Sequence, residues 1–282
     1  MKNRSLVVCG AGTMGAGIAQ AAAQHGFPVI LFDLSEKAIE GARQQIYQRL
    51  DSLVEKQKIT SAALLSIKEL LQFTTHSAAC KGSFLLEAVA EKLDVKTRLF
   101  RDLAELNGSA AIYATNTSSL SVEAIAADHP FPEQVVGMHF FNPATHMKLV
   151  EVVKTSYTRA EVVQAVTALA TDMGKTAVIC KDAPGFIVNR VARPFYIEAL
   201  RLAEAGFSME LIDRLMEGAG FKMGPFRLMD LIGNDVNFAV SCSVYEQLGR
   251  PERLRPSIIQ EQKVKEGKLG RKTGVGYYTY SS

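Results

Sequence analysis

The residues best suited to chemistry are a histidine and a glutamate that lie in two consecutive apolar runs. His139 ends the run 135–139, and Glu151 lies inside the run 148–153. A buried carboxylate is costly unless it has a partner. An imidazole held by a carboxylate is fixed in one tautomer and can act as a general base near neutral pH. A lone histidine is more often structural, so it is Glu151 that makes a base–carboxylate pair the favoured interpretation.

A second candidate site is a glycine motif near the start of the chain. It follows the apolar run 5–9, precedes an alanine-rich helical stretch, and reads Gly10-Ala11-Gly12-Thr13-Met14-Gly15. Glycines at this spacing permit a tight turn, close approach of a pyrophosphate and close packing of helix on strand. The helix N-terminus offers N–H groups and a positive dipole end to phosphates. The alternative is a glycine turn that only packs the helix on the strand.

Asp33 bears on that choice, because it ends the next apolar run, 28–33. A carboxylate in this place accepts hydrogen bonds from the adenosine ribose hydroxyls and repels a 2′-phosphate. No arginine follows Asp33 directly. The motif and the aspartate together predict a bound dinucleotide, and they favour NAD over NADP.

The elements that must position these residues follow from hydrophobic periodicity. Strands are predicted at 5–9, 28–33, 71–75, 84–89, 110–115, 135–139, 148–153 and 176–180. Helices are predicted between them at 14–25, 36–57, 60–70, 92–106, 121–127 and 159–173. This alternation predicts an α/β fold with a mostly parallel sheet of Rossmann type over residues 1–183. The long stretch 35–71 is expected to form a helical pair that projects from the sheet.

After the turn residues 182–185 the strand signal stops. Helices are predicted at 186–205, 208–219, 226–248 and 256–266. We therefore expect an all-helical C-terminal domain over residues 184–282. Asn189 falls in the first turns of its opening helix, and spacing alone leaves open whether it reaches a ligand or caps the helix.

Polar residues collect where the predicted strands end, and the carboxyl ends of parallel strands meet at one crevice. Asp33, Glu91, residues 116–119, His139 and Asn142 all occupy such places. Each alone could serve a turn or a helix cap. Together they predict a ligand site at this edge of the sheet.

Composition excludes several classes of function. The 282 residues have a formal net charge of +3, and the basic residues are scattered, so neither nucleic acid nor a membrane surface is an expected partner. No apolar stretch approaches the length of a membrane span. The four cysteines show no metal-ligand spacing and, with no signal peptide in view, indicate a cytoplasmic protein without a metal site.

Motifs along the whole chain resemble the short-chain L-3-hydroxyacyl-CoA dehydrogenases, and among these the bacterial 3-hydroxybutyryl-CoA dehydrogenases. They are the segments 10–15, 116–120, 139–143, 147–151, 182–190 and 270–277. The resemblance implies NAD as cofactor and an acyl-CoA substrate such as 3-hydroxybutyryl-CoA or acetoacetyl-CoA. It also implies a helical domain that contributes to the substrate cleft and forms a homodimer.

The resemblance assigns roles to individual residues. His139 resembles the general base and Glu151 its orienting carboxylate, while Ser118 and Asn189 resemble the groups that bond the substrate oxygens. Contacts on the nicotinamide side would come from Glu91, Lys96, Ser118, Asn142 and Lys272.

The coenzyme A contacts are less closely matched. The places of a serine and a lysine that contact coenzyme A in some relatives are interpreted as Ala42 and Arg49. The serine contact would be lost, and Arg49 would keep a phosphate contact.

Two other functions remain open from the residues. One is a sugar-acid dehydrogenase of the L-gulonate 3-dehydrogenase type, which would keep the cofactor loop and the histidine without needing coenzyme A. The other is a non-catalytic NAD-binding protein like the lens crystallins built on this fold. The intact set of Ser118, His139, Glu151 and Asn189 argues against the second, because a site without activity has no reason to keep a costly buried carboxylate.

Overall fold

The computed structural model describes residues 5–280. The chain divides after Asp182 into two compact units, 1–182 and 183–282. The first is an α/β unit and the second is helical, as the sequence predicts.

The first unit is built on an eight-stranded sheet. Its strands are β1 Leu6–Cys9, β2 Val29–Phe32, β3 Leu71–Thr74, β4 Phe84–Glu87, β5 Ile112–Thr115, β6 Val135–Phe140, β7 Leu149–Lys154 and β8 Thr176–Lys181. The spatial order is β3-β2-β1-β4-β5-β6-β7-β8, and the first six strands are parallel. The chain reverses its direction of growth between β1 and β4, which is where open α/β sheets bind ligands.

The antiparallel pairing of β7 with β6 is the feature that the apolar pattern did not reveal. It puts His139 directly opposite Glu151, whereas β8 returns parallel to β7. Directly opposed side chains on one face of a sheet lie close enough to interact. The reversed strand therefore brings the two predicted chemical residues together.

Six helices accompany this sheet: α1 Thr13–Gln24, α2 Glu36–Glu55, α3 Ser61–Glu69, α4 Leu93–Asn107, α5 Val122–Ala127 and α6 Ala160–Asp172. Hydroxyl groups cap three of them, because the side chains of Ser35, Thr60 and Ser121 accept hydrogen bonds from the first turns of α2, α3 and α5. The pair α2 and α3 is the predicted helical pair of residues 35–71.

The second unit contains α7 Val188–Glu204, α8 Met209–Gly218, α9 Pro225–Ile232, α10 Asn234–Gln247 and α11 Ile258–Lys265. One prediction here is wrong, because the single helix expected at 226–248 is two helices. Gly233 lies between them with φ of 104°, a conformation that ends α9 and lets the chain turn. The core of this unit includes Tyr196, Leu200 and Phe226.

Candidate active site

The glycine motif forms the turn that a dinucleotide requires. Gly10 has φ of 104°, and its amide donates to the Phe32 carbonyl at 2.7 Å. A Cβ at Gly10 would collide with the Ala88 carbonyl, and one at Gly15 would overlap the Gly10 carbonyl. Around Gly12, by contrast, a Cβ would meet nothing within 4 Å. The turn is therefore tight where backbone meets backbone and open where a phosphate must approach.

A cavity of about 880 Å³ opens beside this turn, at the switch point between β1 and β4. Gly10, Gly12, Asp33, Ala88 and Val89 are among the residues that line it. The Asp33 carboxylate accepts from the Ala11 amide at 2.8 Å and the Ser35 amide at 2.9 Å, so two main-chain groups hold it at the cavity wall. Volume, turn and carboxylate fit the adenosine half of NAD.

His139 and Glu151 form a buried pair. His139 Nδ1 lies 2.8 Å from Glu151 Oε2, and the two residues are 5% and 0% exposed. The ring of Phe141 lies 4.6 Å from the imidazole centre and covers one side of it. A carboxylate at Nδ1 fixes the tautomer and orients the ring, which makes Nε2 the nitrogen that exchanges a proton.

Glu91, which follows β4, is the centre of a hydrogen-bond cluster with the loop that follows β5. Its Oε1 accepts from the hydroxyl of Thr117 at 2.6 Å and from the amides of Ser118 and Ser119 at 2.9 and 3.0 Å. The Ser118 hydroxyl is 3.4 Å from the same oxygen, a long contact. The carboxylate therefore fixes the main chain of the Ser118 loop and bonds its hydroxyl only weakly.

Beneath Glu91 lies an ion pair that the sequence reasoning missed. Lys96 Nζ lies 2.9 and 2.8 Å from the two carboxylate oxygens of Glu87 and 3.2 Å from Glu91 Oε2. Glu87 also accepts from the Thr115 hydroxyl and from the Val89 amide, the latter at 3.2 Å. Glu87 lies inside an apolar run, the same signal that identified Glu151.

Charge and hydrogen bonding set the ionisation of Glu91. Burial acts to raise the pKa of its carboxyl. The Lys96 ammonium and the hydrogen bonds from the 117–119 loop together lower that pKa by more than burial raises it. The pKa of Glu91 is held below its ordinary value. Glu91 is thus an anion at neutral pH, as an anchor for N–H and O–H donors must be.

The segment after β6 carries Asn142 and is held by a buried lysine. Asn142 is exposed, and the ammonium of Lys175 donates to the carbonyls of Ala144 at 2.6 Å and Met147 at 3.0 Å. Asn116 supports the strand itself, since its side-chain oxygen accepts from the Phe140 amide at 2.8 Å. These contacts position the segment that links His139 to β7.

Asn189 and Lys272 belong to the second unit. Asn189 lies in the first turn of α7, where its carbonyl accepts from Arg193 Nε at 3.0 Å. Lys272 Nζ lies 2.6 and 2.7 Å from the carboxylate oxygens of Asp235. Burial acts to raise the pKa of Asp235, but Lys272 and main-chain hydrogen bonds together lower it by more. The roles of Asn189 and Lys272 stay predictions.

Helix α2 has a buried and an exposed side. Ala42 is in the core, packed with Ile39 and Ile46, so its side chain does not face a ligand, and this position is unsuitable for a coenzyme A contact. Arg49 instead lines a second cavity of about 880 Å³. That cavity lies among α1, α2 and residues 145–146.

Comparisons with known proteins agree over both units. The family model for the 3-hydroxyacyl-CoA dehydrogenase NAD binding domain matches residues 5–183, and that for the C-terminal domain matches residues 185–280. The chain belongs to the 3-hydroxyacyl-CoA dehydrogenase family. The predicted family, fold class and cofactor are confirmed, and NAD is the cofactor of this family's first domain.

Individual relatives cover the chain almost completely. A 3-hydroxyadipyl-CoA dehydrogenase of Escherichia coli is 48% identical over 98% of the chain, which spans 59% of that longer protein. A probable 3-hydroxybutyryl-CoA dehydrogenase of Bacillus subtilis is 38% identical, with 99% of this chain and 98% of the relative covered. The crystal structure of (S)-3-hydroxybutyryl-CoA dehydrogenase from Ralstonia eutropha superposes with a TM-score of 0.94 at 36% identity, with both chains fully covered.

Proposed function

We propose that the protein catalyses reversible, NAD-dependent oxidation of short-chain (S)-3-hydroxyacyl-CoA to 3-ketoacyl-CoA. The buried His139–Glu151 pair, 2.8 Å apart across β6 and β7, is the observation that carries this proposal. It supplies an oriented base in the domain that binds NAD. The names of the relatives suggest two kinds of acyl group, the four-carbon 3-hydroxybutyryl group and the dicarboxylic 3-hydroxyadipyl group.

His139 is the proton acceptor in the proposed oxidation. Its Nε2 takes the proton of the C3 hydroxyl, and the same atom returns a proton to the ketone in reduction. Glu151 opposes the positive charge that develops on the ring at Nδ1. NAD, when bound, supplies the acceptor for the hydride that leaves C3. Acid–base assistance of this kind contributes ~10²–10⁴-fold to the rate.

Ser118 and Asn189 are proposed to bond the C3 oxygen or the thioester carbonyl. Glu91 fixes the main chain around Ser118, while its bond to the Ser118 hydroxyl is long enough to be exchanged for a substrate oxygen. Glu91, Lys96, Asn142 and Lys272 are proposed on the side of the nicotinamide. Lys96 would act there chiefly through Glu91, because its own ammonium is buried.

The second cavity supports a coenzyme A substrate. Besides Arg49, the cations Lys56 and Lys58 line it, and none of the three has an ion-pair partner among residues 5–280. Gln20 is buried in the wall, and its Oε1 has no hydrogen-bond donor within the described chain. Phosphate groups fit the cations, and an amino or hydroxyl group fits the glutamine. Coenzyme A contains all of these groups.

A homodimer is the proposed assembly. The helical unit exposes large apolar side chains, among them Val191, Leu211, Leu215 and Ile258. Leu211 and Leu215 lie one helical turn apart on α8, and apolar side chains that adjoin in this way are typical of a surface that meets another protein. A second copy is the proposed occupant because the family resemblance implies it.

The cytoplasm is the proposed compartment. All four cysteines are free thiols, as in a reducing environment. No helix within residues 5–280 has both the length and the apolar character needed to cross a bilayer.

The proposal is tested by NADH oxidation with acetoacetyl-CoA, run beside NADPH and beside a 3-keto acid without coenzyme A. Rapid oxidation of NADH with the thioester alone is expected. Turnover of the free acid but not the thioester would assign the protein to the sugar-acid dehydrogenases. NADH binding without turnover of either compound would favour a non-catalytic role.

A further inference from the structure

Helix α7 contains a buried cation that the proposed mechanism does not use. Arg193 is 3% exposed, and its Nε donates to the Asn189 carbonyl. Its Nη1 donates to the Asn237 carbonyl at 3.1 Å and to the Ser241 hydroxyl at 2.8 Å, and its guanidinium carbon lies 4.8 Å from the centre of the Tyr196 ring. None of these partners carries a negative charge.

Such a charge requires an explanation, because a buried ion without a counter-ion is strongly unfavourable. Burial lowers the pKa of Arg193 to about 10, a value at which the group is still a cation at neutral pH. No carboxylate of residues 5–280 forms an ion pair with it, and Nη2 has no acceptor in that part of the chain. Nη2 is not among the fully buried atoms that lack a partner, so it reaches solvent and its two N–H donors are accessible to an anion.

Two other cations among residues 5–280, Lys96 and Lys175, are buried. Lys96 has the carboxylates of Glu87 and Glu91. Lys175 has no carboxylate, but its two carbonyl acceptors pin the segment after Asn142, which accounts for its position. Arg193 differs from Lys175 in that both N–H groups of one nitrogen, Nη2, have no acceptor among residues 5–280.

The position of Arg193 indicates which anion would meet it. It follows Asn189 by one helical turn, a rise of about 6 Å along the same face of α7. Asn189 is the residue proposed to bond an oxygen at C1 or C3 of the acyl group. In a six-carbon dicarboxylic chain three C–C bonds of about 1.5 Å separate C3 from the terminal carboxylate, a comparable span.

We propose that Arg193 is a specificity-determining residue that binds the terminal carboxylate of a dicarboxylic 3-hydroxyacyl-CoA. The inference rests on the proposed function and on the role of Asn189 within it. The guanidinium is the side chain best suited to a carboxylate, because its N–H donors lie in one plane and it remains charged when buried. A plain acyl chain would leave the Nη2 donors without an acceptor, and the enzyme would bind it less well.

The test compares 3-hydroxyadipyl-CoA with 3-hydroxyhexanoyl-CoA, which has the same chain length and no terminal charge. The wild-type kcat/KM is expected to be about 10- to 100-fold higher for the dicarboxylic substrate, as a charged hydrogen bond allows. Arg193→Met should remove that preference, because its kcat/KM should fall much further for 3-hydroxyadipyl-CoA than for 3-hydroxyhexanoyl-CoA. Arg214→Met, which removes an exposed arginine of the same unit, is the matched control and should keep the preference.

The outcomes separate the inference from the proposed function. Equal wild-type kcat/KM values for the two thioesters, or an equal loss with both in Arg193→Met, would overturn the inference and leave the dehydrogenase intact. Turnover of neither thioester would overturn the proposed function itself. If Arg193→Met does not fold, the wild-type preference and Arg193→Lys decide, because the lysine keeps the charge and should keep part of the preference.

Discussion

Two buried pairs of the first unit, Glu87–Lys96 and His139–Glu151, differ in what their polar atoms can do. Glu87 and Lys96 are 0% and 1% exposed, and their charged atoms are saturated by each other, by Thr115 and by Glu91. His139 and Glu151 are as deeply buried, but the base is an imidazole, which has two nitrogens. One nitrogen can be held by a carboxylate while the other exchanges a proton. The first pair therefore suits architecture and the second suits chemistry.

The largest expected effect is on the chemical pair. His139→Gln should lower kcat with acetoacetyl-CoA by ~10²–10⁴-fold, because the proton acceptor is lost. NADH affinity, measured by fluorescence titration, should stay unchanged because the glycine turn and Asp33 are untouched. A variant that keeps near wild-type kcat would show that His139 is not the base.

The architectural pair should respond in stability. Glu87→Gln weakens the main counter-ion of Lys96, and breaking a buried pair costs about 3 kcal/mol. Urea denaturation should show this loss of unfolding free energy. The double variant Glu87→Gln/Lys96→Met removes both charges and should recover much of it. No recovery in the double variant would mean that the ion pair is not the source of the loss.

The activity at acid pH should report on the Glu87–Lys96 pair, because Lys96 lowers the pKa of the neighbouring Glu91. The pKa of Glu91 is lowered in the folded state, so its contribution is present above the ordinary glutamate pKa and is lost as the pH falls through the folded value. Lys96→Met should raise the pKa of Glu91 and move the acid limb of kcat/KM to higher pH. The check is a pH–rate profile for wild type and variant, and an unmoved acid limb would contradict the role of Lys96.

A solvent-exposed ion pair should contribute least to the free energy of unfolding. Lys265 and Glu261 lie 2.6 Å apart on α11 and are well exposed to solvent. Lys265→Ala should change the free energy of unfolding by less than about 0.5 kcal/mol, since such pairs are screened by water. If urea denaturation showed a loss as large as that of Glu87→Gln, burial would not determine how much an ion pair contributes to the free energy of unfolding.

The sequence predicted the elements whose signal is local. The glycine motif and Asp33 carry their own geometry, and the apolar runs placed every strand to within a few residues. The direction of β7 was not predictable, because an apolar run has no preferred sense. The break at Gly233 was hidden by helical residues on both sides of it.

Two site features were missed for a different reason. Glu87 lies in a predicted strand for which no partner of the carboxylate was predicted. The same signal, a glutamate inside an apolar run, had led to a predicted partner for Glu151. Lys96 is predicted at the cofactor and stays a prediction there, but its pairing with Glu87 and Glu91 is visible only in the fold. Spacing along the chain does not report which long side chains turn inward.

The most direct test of the central claim is the matched pair Glu151→Gln and Glu87→Gln, assayed for kcat with NADH and acetoacetyl-CoA on folded protein. Both substitutions replace a buried carboxylate by an amide of the same shape. We expect Glu151→Gln to lose about 10²-fold or more, because the imidazolium loses its counter-charge. We expect folded Glu87→Gln to stay within about tenfold of wild type, since Glu91 remains beside Lys96. Equal losses in the two variants would contradict the division between a chemical and an architectural pair.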